Sequence, residues 1–227
     1  MHIPDGFLSS EVAAVTGVVA IGAVGYGLHR ANRTLDERQV PLLGVTAAFV
    51  FAAQMLNFPV AGGTSGHLMG GALAAVLVGP YTGLLCLTVV LAVQSLLFAD
   101  GGITALGANV VLMGVVTVVV GYGVFRAVQL VLPKRLSMVA PAAAIGALAS
   151  VGASAATFVV LYALGGVVPI PFDTLLAAML GVHALIGIGE AVITVAAVSA
   201  VLASRPDLIA MRVPSETARS VLRPREI

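Results

Sequence analysis

Long apolar runs fill this chain, and short polar or glycine-proline segments break them. Runs near residues 10–29, 40–57, 67–79, 81–98, 107–132, 139–164 and 174–203 approach bilayer length, which predicts about seven transmembrane helices. The third run is short, and only Gly79-Pro80 separates it from the fourth. It is expected either to pack steeply inside a bundle or to be partly re-entrant. The connectors carry turn chemistry: Pro59 to Gly66 is rich in glycine, Asp100-Gly101-Gly102 is a tight turn, and Pro169-Ile170-Pro171 is stiff. The predicted fold is an all-α integral membrane protein, with a membrane-embedded unit over residues 1–203 and a polar tail over 204–227.

Composition sharpens the class. Of 227 residues, 59% are hydrophobic and 9% charged, whereas a soluble domain carries about 25% charged residues. Such a chain cannot clothe a water-facing surface. The single cysteine, Cys86, lies in an apolar run, so no disulfide framework or cysteine metal site is expected. No glycine loop ending in Gly-Lys-Ser/Thr is present, so the chain hydrolyses no nucleotide. The zinc-protease pattern His-Glu-x-x-His is also absent, and no nucleic-acid partner is expected.

The placement of charge gives an orientation. Arg30, Arg33 and Arg38 follow the first span, Arg126, Lys134 and Arg135 end the fifth, and Arg205, Arg212, Arg219, Arg223 and Arg225 follow the seventh. Seven alternating spans put all 11 basic residues on one side, which the positive-inside rule makes the cytoplasm. The N-terminus then faces outward with the 58–66, 99–106 and 165–173 loops. Those segments hold Asp5, Glu11, Asp100 and Asp173 and no basic residue, which draws cations toward them. The beginning does not read as a secretory signal, since no Lys or Arg precedes Arg30, so it is expected to be retained. The cytoplasmic tail reads as a solvated extension able to meet anionic lipid or a partner subunit.

Candidate chemistry starts at residue 1. The terminal amine, the His2 amide nitrogen and the His2 imidazole can close five- and six-membered chelate rings on one metal ion. Nitrogen donors in a plane suit nickel or copper before magnesium or calcium. The competing reading of a Met-His start is a frayed terminus. His67 follows Gly62-Gly63-Thr64-Ser65-Gly66 on the same predicted face, which adds a second imidazole. Gln54, Asn57, Gln94 and Asn109 are amides in or near spans. Each is expected to bridge helices or to hold the 58–67 loop or the N-terminus in place. His183 and Glu190 lie two helical turns apart on one face of the last span. They read as a neutral, hydrogen-bonded structural pair, with a proton relay as the alternative.

Several stretches together resemble one family. They are Met1-His2-Ile3-Pro4-Asp5-Gly6-Phe7-Leu8, the run from Gln54 to His67, Phe98-Ala99-Asp100-Gly101-Gly102, Ala105-Leu106-Gly107-Ala108-Asn109, and the run from His183 to Glu190. From residue 1 to about 203 the chain is similar to CbiM/NikM, the substrate-capture component of cobalt and nickel energy-coupling-factor transporters. The resemblance implies a core of six helices plus an extra N-terminal helix, with the terminus tucked into the core. It implies that the amino group of Met1, the backbone and side chain of His2, and His67 hold the ion. Gln54, Asn57, Thr64 and Ser65 are the candidates for supporting those ligands. The implied partners are a coupling transmembrane subunit, two ATP-binding subunits and a small accessory membrane protein, none within this chain. The implied function is capture of cobalt, slightly before nickel, for an ATP-driven importer that supplies cobalamin biosynthesis, with no resident cofactor and no catalysis in this subunit. Two other functions stay open: a proton-coupled secondary transporter using His183 and Glu190, and an intramembrane enzyme with a metal at His2 and His67.

Overall fold

The computed structural model describes residues 1–35, 37–60, 65–133 and 135–210. Helix α1 spans Ser10–Thr34, α2 Val40–Gln54, α3 Gly71–Val78 and α4 Pro80–Leu97. Helix α5 runs over Leu106–Val131 and loosens to a wider turn at Val110–Val116. Helices α6 (Val139–Gly165), α7 (Phe172–Ser204) and the short α8 (Pro206–Ala210) complete the described part. Between α2 and α3, strands β1 (Phe58–Pro59) and β2 (Ser65–Gly66) pair antiparallel, with Phe58 opposite Gly66.

All seven apolar runs contain helix, but not all reach spanning length. Five helices are long and apolar enough to cross a membrane among the described residues: α1, α4, α5, α6 with its preceding turn, and α7. The runs at 40–57 and 67–79 yield shorter helices. Helix α2 has 15 residues, about 22 Å, and α3 has eight, about 12 Å. Glycines explain the short α3. Gly70 at φ 76° and Gly79 at φ 91° bracket it in conformations that side chains resist. Every residue of α3 is buried, so this apolar segment meets protein rather than lipid. Hydropathy reports burial in either environment alike.

Large apolar side chains such as Val18, Ile21, Val119 and Leu185 stay exposed along the long helices, as a multi-pass membrane protein requires. Helix α1 is the most peripheral of these, with 17% of its most apolar window buried. One of its approaches to the bundle is backbone on backbone. A Cβ on Gly107 of α5 would meet the Cα of Gly17 and lie 2.7 Å from its nitrogen. Small residues let two helices come this close, and dispersion then holds them.

The first residues belong to the core. Met1, Ile3, Phe7 and Leu8 are buried in one cluster with Leu112, Met113, Phe158, Leu175 and Met179. A second cluster, around Leu73, Phe125, Val139 and Val198, takes in Ile209 of α8. That short helix therefore packs against the bundle, and Gln39 Nε2 donates to Leu208 O at 3.5 Å. Residues 206–210 thus differ from the solvated extension expected after 203; the expected tail over 211–227 lies outside the described residues.

Gly107→Val should be overpacked against α1 and destabilise the protein by about 1–3 kcal/mol, read as a lowered unfolding midpoint in detergent. Gly22→Val, at a position with open space, should leave that midpoint unchanged.

Candidate metal centre

Four amides and three carboxylates build this site, acting on backbone, on a histidine or, for Asn57, on Asp100. Asn109 grips the third residue at two points. Ile3 N donates to Asn109 Oδ1 at 2.7 Å, and Asn109 Nδ2 donates to Ile3 O at 3.1 Å. Gly102 N also donates to Ile3 O, at 2.8 Å. Asp5 accepts from the amides of Ile103 and Thr104 and from the Thr104 hydroxyl, which ties the N-terminal strap to the turn before α5. Those bonds hold the Asp5 carboxyl below its ordinary range. The approach needs a glycine: a Cβ on Gly102 would strike the Asp5 nitrogen and sit 2.7 Å from the carbonyl carbon of Pro4. Further along, Val167 N donates to Phe7 O at 3.0 Å and Ser9 N to Gly165 O at 2.7 Å. The Phe7 ring packs against Phe158 and Tyr162.

This strap carries Met1 and His2 inward, to 0% and 5% exposure. Burial pushes the proton affinity of the Met1 amine well below its ordinary value, against the opposing charge of Asp100. His2 Nε2 bonds to Gln94 Oε1 at 3.1 Å. An amide oxygen only accepts, so Nε2 carries the proton and Nδ1 keeps a lone pair. His2 Nδ1 lies 3.1 Å from Asp100 Oδ1 but without hydrogen-bond alignment. Two acceptors at that distance repel unless a proton or a cation joins them. Burial alone would raise the Asp100 carboxyl, but His2, the Asn57 amide at 3.4 Å and the amino terminus outweigh it and hold it below its ordinary range.

His67 arrives from β2. Its ring centroid stands 4.5 Å from that of His2. Nδ1–H donates to Leu68 O at 2.8 Å, which leaves Nε2 as a buried lone pair with no hydrogen-bond partner. Burial, then the amino terminus and His2, keep this imidazole neutral well below its ordinary range. The loop after it is clamped from two helices. Glu190 of α7 accepts from Met69 N at 2.6 Å and Gly70 N at 3.0 Å, where it also meets the positive end of α3. Gln54 of α2 donates to Met69 O at 2.7 Å.

Met1, His2 and His67 therefore converge. Gln54 and Asn57 sit around them, one on the His67 loop and one on Asp100. Ser65 is half-buried in β2, and Thr64 lies outside the described residues. The expected bond between His183 and Glu190 does not form. His183 Nδ1 donates to Met179 O one turn back at 2.7 Å, while both Glu190 oxygens serve the start of α3. Among the described residues no three His, Cys, Asp or Glu side chains make a metal cluster, so any nitrogen site here needs the terminal amine or amide. Gln94 and Asn109 hold the chain's beginning, one of the two roles expected of these amides, and Asp100 acts there too, which its setting as an outer negative charge did not single out.

Comparison with known proteins places these features in context. Residues 2–208 match the family described as cobalt uptake substrate-specific transmembrane region, CbiM. The chain is 42% identical to a putative fused nickel transport protein, NikMN, of Archaeoglobus fulgidus, covering 98% of this chain and 72% of that protein. It is 41% identical to a putative metal transport protein of Haloquadratum walsbyi, covering 92% of this chain and 93% of the other. A crystal structure of a truncated transition metal transporter superposes with a TM-score of 0.78 at 34% identity, covering 90% of this chain and 99% of that one.

Asn109→Ala should release the strap at Ile3, leaving its buried N–H unpaired at a cost of about 1–3 kcal/mol while its carbonyl keeps Gly102 N. Hydrogen exchange at residues 1–8 should rise while the α6–α7 core stays protected. Glu190→Gln should lower the unfolding midpoint and leave the number of bound ions unchanged.

Proposed function

Because this chain belongs to the CbiM family of cobalt and nickel transport membrane proteins, we propose that it is the ion-capturing subunit of an ATP-driven energy-coupling-factor importer. The ion is held by the Met1 amine, the His2 amide and Nδ1, and His67 Nε2. One observation carries this reading: a wholly buried amino terminus lies beside two imidazoles whose Nδ1 and Nε2 have no hydrogen-bond partner. Buried polar atoms are almost always satisfied, so these unpaired nitrogens support a bound cation. Asp100 beside His2 supplies a compensating negative charge.

The donor set selects by geometry. Four nitrogens in a plane suit cobalt(II) and nickel(II) over the oxygen-seeking magnesium and calcium. Each donor must lose or lack a proton, so capture releases protons. Burial has already made the amine and His67 poor bases, which keeps their lone pairs available at lower pH than in water. The strap end of the bundle faces outward and the arginine-rich ends face the cytoplasm. Separate subunits hydrolyse ATP, a coupling subunit and an accessory membrane protein complete the importer, and cobalt, for corrin synthesis, is favoured over nickel. This subunit captures the ion rather than transforming a substrate.

Acetylating Met1, or adding one residue before it, should abolish cobalt and nickel binding in a protein that still folds; retained binding would overturn the site. His67→Ala should also lose the ion. Binding should fall as pH drops, and its midpoint should lie at lower pH than that of a free Met-His-Ile-Pro peptide, as measured by equilibrium dialysis at stepped pH. Coincident curves would count against burial as the cause.

A further inference from the structure

Near the end of α1 stands a basic side chain without a counter-charge. Arg30 is half-buried where α1 crosses the start of α4. The two helices meet closely there: a Cβ on Gly27 would lie 3.4 Å from Leu84 Cδ2 and 3.7 Å from Tyr81 O. The Arg30 guanidinium lies over the Tyr81 ring, with Cζ 5.2 Å from its centre. Tyr26, one turn earlier on α1, meets the same ring edge-on at 5.7 Å. This platform is fixed from behind. Thr82 and Gly83 are buried, and a Cβ on Gly83 would lie 2.9 Å from the Ala75 nitrogen of α3. A guanidinium stacked on an aromatic face keeps its N–H edge for an anion. Here that edge has no acceptor. Arg30 makes no hydrogen bond or ion pair among the described residues, and its Nε is buried without a partner. The ion pairs described join His2 to Asp100 and Arg205 to Asp207 instead.

We propose that Arg30, on its Tyr81–Tyr26 platform, binds the phosphate of an anionic phospholipid lying against the exposed face of α1. The surroundings favour a lipid over a water-borne anion. Helix α1 is the most peripheral of the long helices. On the turns leading to Arg30, Val19 is 49% exposed and Tyr26 57%, which offers apolar surface to acyl chains. Tyrosine suits the headgroup level, with an apolar ring and a wet hydroxyl. The charge there suits an anion: His29 and Arg33 are exposed on adjacent turns, and α1 has no carboxylate after Glu11. Helix α4 begins at Gly79 without a side-chain cap, so its positive end adds to the same field. One phosphate takes two parallel N–H bonds from a single guanidinium. A buried donor without an acceptor is costly, and the phosphate removes that cost. Since α1 has little buried surface, a lipid held between it and α4 also fastens it to the bundle. This inference is independent of the ion site.

The test uses the full-length protein in detergent micelles supplied with phosphatidylglycerol, phosphatidylcholine or inorganic phosphate. Native mass spectrometry reads retained lipid, and the unfolding midpoint reads protection. The wild type should retain phosphatidylglycerol and unfold at a higher temperature when it is added. Arg30→Gln should bind that lipid about tenfold more weakly and lose the protection. Arg30→Lys keeps the charge but not the fork and should fall between the two. Arg135→Gln removes an exposed arginine between α5 and α6 and should behave as the wild type. Equal retention by wild type and Arg30→Gln overturns the site. An equal loss in Arg135→Gln overturns it too, because the attraction is then diffuse. Protection by inorganic phosphate alone makes the ligand a free anion, and equal protection by phosphatidylcholine removes the anionic preference; either overturns the proposal. If Arg30 serves an acidic side chain of another subunit, Arg30→Gln keeps its phosphatidylglycerol but loses co-purification of that subunit, which also overturns the lipid. Should Arg30→Gln fail to fold, Tyr81→Leu removes the platform and leaves the charge; undiminished retention there overturns the site.

Discussion

A chain end with no exposure to solvent is the constraint from which the rest follows. An amino terminus carries charge in water, and burying it uncompensated is costly. Here Met1 is 0% exposed, and burial drives its amine toward the neutral form. A neutral amine is also a good ligand, so the condition that makes burial tolerable makes the atom useful. The surrounding apolar core, which includes Ile3, Phe7, Met113 and Met179, excludes water from it.

Such a terminus would fray without grips, and the grips come from separate elements. Asn109 of α5 holds Ile3, Gln94 of α4 holds His2, the turn before α5 holds Asp5, and the end of α6 holds Phe7 and Ser9. The opposing histidine is held through α7 and α2, by Glu190 and Gln54. The two halves of the site are thus referred to different helices. A shift of one helix against another must change their separation, and through it the hold on an ion. That is a physical route by which motion of the bundle can turn capture into release.

Glycine makes the approach possible at three places. Gly102 lets the strap lie on the 100–104 turn, Gly66 lets the His67 loop pass His183 and Ile186, and Gly107 lets α1 close on α5. Each is a point where backbone meets another segment with no side chain between. The short α3 belongs to the same design: its left-handed glycine at 70 presents two successive amides to Glu190 and fixes the direction of the preceding loop.

Composition and order alone determined the membrane class and the apolar helices, and they picked out Met1, His2 and His67 as candidate ligands. Hydropathy is a local sum, and an amine followed by an imidazole is a chelator wherever it lies. Tertiary structure alone decided how long each apolar run stays helical. It buried α3 inside protein, and a hydrophobic run looks the same in either setting. It also decided the polar partners. His183 and Glu190 share a helix face and suggest a pair, yet a carbonyl one turn away took the first and the amides of α3 took the second. Asn109 and Ile3 are separated by 106 positions, and Glu190 and Met69 by 121. Bonds across such distances depend on how helices pack, which no stretch of neighbouring residues encodes by itself.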